Sequence, residues 1–101
     1  MTAWAPDFAQ DLAMAQDPRV TGAQLLSLAV HRDASVRAAV AQRADCPVGA
    51  LISLGHDRHE EVLLALVANP RTPSSVVRNL ADHREQQVAR AAEERLRGIG
   101  L

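Results

Sequence analysis

Arg32, Arg58 and Arg84 stand 26 residues apart, twice in succession. A guanidinium is a planar fork of donors that meets phosphate or carboxylate oxygens two at a time. If each interval is one structural layer, the three share a ridge, about 8–10 Å apart at helix-packing distances. Such a ridge suits a nucleic-acid backbone or an acidic peptide. A purely structural role is the preferred reading: Arg between helices can bond carbonyls at a helix end, or pair with Asp33, Asp57, Glu60 or Glu85. Mutual repulsion at ~10 Å in water is only about 0.4 kcal/mol, so no bound anion is required. Arg19 and Arg71 share a second column, which Asp45 interrupts.

His31, His56, His59 and His83 supply imidazoles, and His56-Asp57-x-His59-Glu60-Glu61 holds side chains that a divalent metal accepts. His31 and His83 lie two intervals apart, roughly 16–20 Å, too far to share an ion. His56 and His59 straddle a predicted helix start with no common face. No metal and no cofactor is expected. Ser27, Ser35, Ser53, Ser74 and Ser75 have no base at a legible spacing, and the glycines form no phosphate-binding loop. The single Cys46 excludes an internal disulfide and a four-cysteine cluster. It reads as a small turn residue before Pro47. Nothing here points to an enzyme.

The remaining chemistry is apolar recognition. Leu63 and Leu64 occupy columns that hold Arg37 and Ala38 one interval earlier, and Ala89 and Arg90 one interval later. A column that accepts Arg is expected to face solvent, so a Leu-Leu pair there predicts a partner site or a self-association patch. Val67 would be a third anchor, with Arg37 and Arg90 as a charged rim. The competing reading encloses this central helix, which is apolar on all sides from Val62 to Ala68.

These residues need elements to hold them, and the 26-residue interval supplies the plan. Val36, Val62 and Val88 repeat at it, as do Leu28, Leu54 and Leu80, and Ala39, Ala65 and Ala91. The units are 17–42, 43–68 and 69–94, preceded by a capping helix within 1–16 and followed by a tail, 95–101. Each unit reads as two short helices. The first starts near Thr21, Pro47 or Pro73, with Pro suited to the first helical position and Thr72 a candidate cap. The second starts near Asp33, His59 or Glu85, with Asp33 as cap and Val36, Ala39 and Val40 on one face. Helices of about ten residues are marginal alone, so each unit must bury its face against the next. An N-terminal helix over Pro6–Ala15 would close the first unit with Trp4 and Phe8. Glu93, Glu94, Arg95 and Arg97 suit a last helix with a solvated outer face.

Val36-Arg37, Val40-Ala41, Pro47, Leu51, Leu54, Val67-Ala68-Asn69-Pro70-x-Thr72-Pro73 and Leu80-Ala81-x-His83 resemble the leucine-rich repeat variant family, from about Asp17 to Ala92. The resemblance implies a right-handed superhelix of paired helices, the second of each pair being α or 3₁₀. One branch of that family carries an iron–sulfur cluster on a cysteine-rich N-terminal segment; here the first 16 residues hold no Cys. Asp57 and His83 exchange in the column after Leu-Ala-x, so no acid is maintained there.

Composition sets the outer bounds. At 101 residues the chain is one domain, and 19 Ala, 12 Leu and 10 Val against one Phe, one Trp and no Tyr predict a core of many small contacts. Eleven bases, all Arg, and twelve acids leave a net charge of −1, with no sequence-wide footprint for nucleic acid or an anionic membrane. With no apolar run of the roughly 18 residues a membrane span needs and no signal-like start, a cytoplasmic protein without a membrane partner is expected. The reading is an all-α, right-handed α-solenoid of about three 26-residue helix pairs with an N-terminal capping helix. Its expected function is non-catalytic, an interaction or adaptor module for another protein or a second copy of itself. Nucleic-acid backbone binding through Arg32, Arg58 and Arg84 is the alternative.

Overall fold

A computed structural model describes the chain from Phe8 to Ile99. The described residues form seven α-helices and no strand: α1 (Phe8–Gln16), α2 (Gly22–Leu28), α3 (Ala34–Ala41), α4 (Val48–Leu54), α5 (Glu60–Ala68), α6 (Ser74–Leu80) and α7 (Gln86–Ile99). The starts of α2, α4 and α6 are 26 residues apart, and so are those of α3, α5 and α7. Both sets are α-helical; neither is 3₁₀. Trp4 lies outside the described residues, so its pairing with Phe8 is not described.

Local chemistry explains the starts. Thr21 caps α2 in a capping box: its side chain accepts the Gln24 N–H while the Gln24 side chain accepts the Thr21 N–H. Asp33 caps α3 by accepting the Ser35 N–H, as its position predicts. Pro47 and Pro73 precede α4 and α6 with ψ of 141° and 145°, so each is the extended N-cap, one residue before the position expected. Thr72 does not cap α6; its buried hydroxyl donates to the Leu66 carbonyl at 2.7 Å instead. That bond adds a second donor to a carbonyl near the end of α5 that already accepts the Asn69 N–H at 3.1 Å.

α3 packs between α1 and α5, and α5 between α3 and α7, so the odd-numbered helices run as a row. The even-numbered helices pack chiefly on that row, not on one another. The body measures 52 × 26 × 16 Å. Val36, Val62 and Val88 are fully buried, and Leu28, Leu54 and Leu80 nearly so. With Leu25, Leu51 and Val77 they make one continuous core of aliphatic contacts. Gly55 ends α4 beneath α6: a Cβ there would lie 3.0 Å from Val76 Cγ1, so the close approach requires glycine or a shift of the valine.

One repeated column escaped the sequence reading. Arg43 Nη1 donates to the carbonyls of Ala15 and Asp17 at 2.8 and 2.9 Å. Asn69 Nδ2 donates to those of Ala41 and Arg43 at 2.7 and 2.9 Å. Arg95 Nη1 donates to those of Val67 and Asn69 at 2.7 and 2.6 Å. Each side chain thus reaches back one interval to tie off the carbonyls where the preceding odd-numbered helix ends, groups that have no partner within their own helix. Arg95 belongs to α7, which runs on through Ile99.

Candidate functional site

The turns between even- and odd-numbered helices carry the charged residues singled out by their spacing. The column His31, Asp57, His83 keeps one task despite its change of residue type. His31 Nδ1 accepts the Asp33 N–H, Asp57 Oδ1 the His59 N–H, and His83 Nδ1 the Glu85 N–H, at 3.0, 2.9 and 3.0 Å. What is maintained is an acceptor three residues before the helix start, not an acid. Each turn also faces the odd-numbered helix that precedes it in the row. Asp11 of α1 meets His31 Nε2 at 2.7 Å, and Arg37 Nε of α3 donates to Asp57 Oδ2 at 2.6 Å. The corresponding residue of α5 is Leu63, which brings no charge to His83.

This geometry corrects the expected interaction patch. Leu63 is fully buried and Val67 nearly so, and neither can anchor a partner at the surface. Leu64 is half-buried against the core. Arg37 is not a solvent-facing rim: its side chain is 13% exposed, and it also donates to the His31 carbonyl at 2.6 Å. The inference failed because Arg37 marks a junction between helices, where a buried carboxylate receives it. Arg90 alone of the five is exposed. Burial by itself pushes the Asp57 carboxyl up, but hydrogen bonds from Arg37 and the His59 N–H outweigh it and hold the group below its ordinary value.

The Arg ridge fares differently. Arg32, Arg58 and Arg84 are all exposed. Arg32 lies over the Phe8 ring, 5.2 Å from its centre, while that ring meets His31 edge-on at 5.3 Å. Arg58 and Arg84 take part in no ion pair among the described residues. The acids proposed for them are engaged elsewhere or unengaged: Asp57 belongs to Arg37, and Glu60 and Glu85 pair with neither. Of the four columns repeated without change in three copies, two are core valine and leucine and one is alanine within the packing; packing does not account for the arginine.

Two contiguous depressions adjoin this edge. One, of about 390 Å³, lies between α4 and α6 and is lined by Ile52, Gly55, Val76, Leu80, Ser75 and Asn79, with His56 and His83 at its border. The other, of about 500 Å³, is polar and runs between the turns, with Arg58, Arg84, Asp57 and Glu85 beside the same two histidines. Apart from Met14 of α1, the large apolar side chains left in solvent among the described residues belong to the even-numbered helices: Leu26 at 49%, Val48 at 45% and Ile52 at 48% exposure, with Val30 just after α2. Leu26 and Val30 are one interval before Ile52 and His56. The signal for this face was available as Leu26 and Ile52 in the column that α6 fills with Arg78, and as Val48 where α6 has Ser74.

Among the described residues, no three His, Cys, Asp or Glu side chains converge as metal ligands. Cys46 is buried, and that burial pushes its thiol up to about 11, far from a nucleophile at neutral pH. No described helix is long and apolar enough to cross a membrane. The site offers apolar contact beside guanidinium groups. Comparison with family models, with curated proteins and with solved structures finds no match for this chain.

Proposed function

We propose that the protein is a non-catalytic interaction or adaptor module, a short right-handed α-solenoid of the leucine-rich repeat variant type that binds another protein across its even-numbered helices. The observation that carries this reading is the exposed apolar face of α2 and α4 beside arginines that no internal acid engages. The 26-residue spacing of helix starts and the row α1–α3–α5–α7 support the solenoid description. A face held by a packed row loses little conformational freedom on binding, which favours recognition by a preformed surface. A cytoplasmic setting accords with the single buried Cys46.

The test is affinity capture with the wild-type chain and with Ile52→Asp as baits, beside light scattering coupled to size exclusion. A protein retained by the wild type and lost with Ile52→Asp supports the module. A chain that captures nothing and remains monomeric overturns it.

The exposed Arg32, Arg58 and Arg84 favour a second reading, contact with a nucleic-acid backbone. Titration with duplex DNA at low salt decides it: binding that falls steeply with added salt supports the ridge, and no binding ends the reading.

A further inference from the structure

We infer that the groove between α4 and α6, together with the turn edge beside it, takes a short amphipathic peptide segment: large aliphatic side chains in the groove, carboxylates on Arg58 and Arg84. This rests on the interaction-module reading and names its partner class. The apolar and the polar depressions share His56 and His83, so one ligand spans both without leaving the surface. At about 390 Å³ the apolar part is of a size that receives side chains of a peptide, and Ile52, Val76 and Leu80 give it the walls to do so.

Charge complementarity selects the acidic partner. Of the two acids on the polar side, Asp57 is held by Arg37, which leaves Glu85 against Arg58 and Arg84. Guanidinium groups with no internal partner bind a carboxylate bidentately and lose no existing ion pair in doing so. A basic segment would meet repulsion at both arginines, and a purely apolar one would leave them without a partner as water is displaced.

The experiment is selection of a phage-displayed library of random 12-residue peptides on the immobilised full chain, followed by fluorescence anisotropy with the enriched peptides. Enriched peptides are expected to carry one or two Leu, Ile or Met residues and at least two Asp or Glu. Their affinity is expected to fall at least tenfold with Ile52→Asp and at least tenfold with Arg58→Glu/Arg84→Glu, and to be unchanged with Arg97→Glu. All these positions are exposed or half-exposed, so circular dichroism should report wild-type folding for each variant. Peptides without carboxylates, affinities that ignore either substitution at the groove, or no enrichment at all would each overturn the assignment. Peptides that bind elsewhere would leave the interaction-module reading standing. Failure of both the selection and the capture by the wild-type bait removes that reading too.

Discussion

Arg37 and Asp57 have side chains 13% and 9% exposed, and each is the other's main compensation for leaving water. Breaking such a pair strands a charge, which costs more than the intact pair contributes. Arg37→Met is therefore expected to lower stability by on the order of 2 kcal/mol, discounted from fully buried cases for the remaining exposure. The pH dependence follows from the depressed Asp57 carboxyl. Its contribution is complete above the ordinary aspartate value of about 3.9 and is lost as the pH falls through the lower folded value. Urea midpoints measured between pH 7 and pH 2.5 should fall more steeply at the acid end for the wild type than for Arg37→Met; parallel curves would contradict the coupling. Leu63 makes the opposite case at the same junction, an apolar residue where α3 places Arg37. Fully buried, it should cost about 2–5 kcal/mol on replacement by Ala. A Leu63→Ala chain with a wild-type melting temperature would return Leu63 to the surface.

At the scale of elements, the latch of Arg43, Asn69 and Arg95 joins each helix of the row to the one before it. Asn69 is 3% exposed, so the Ala41 carbonyl it serves has little water to turn to, while the Arg43 carbonyl keeps the Cys46 N–H. Asn69→Ala should cost about 2 kcal/mol, roughly 10 °C in melting temperature for a domain of this size. Asn69→Asp keeps the shape but replaces the donor with acceptors facing two carbonyl oxygens, so it should be the worse variant. Thermal unfolding by circular dichroism ranks the two, and an Asp variant as stable as wild type would show that the donation is dispensable. Sequence spacing located the helices to within a residue or two because caps and apolar columns are local. The latch was not legible, since a column of Arg, Asn and Arg shares no residue type; its common property, a donor directed backward, exists only once the chain has folded.

For the whole molecule, a row of helices gives an elongated body. The radius of gyration is 14.2 Å, above the roughly 12–13 Å of a compact domain of this length. Small-angle scattering of the monomer is expected to exceed the compact value clearly; agreement with it would mean that the helices do not extend as a row. Elongation leaves much surface per residue, and the even-numbered helices, packed on one another only weakly, keep open the depression that a peptide would enter. The sequence by itself determined the helical class, the 26-residue interval, the valine and leucine columns of the core and the repeat of the arginine column, though not its exposure, because these depend on periodicity and on local hydrogen bonding. Tertiary structure alone decided which polar columns are buried. Arg37 looks like a surface residue until Asp57, 20 positions on, is brought against it, and Leu63 looks like an exposed anchor until the same packing closes over it. Exposure is a property of what lies opposite, and the opposing residue belongs to another helix.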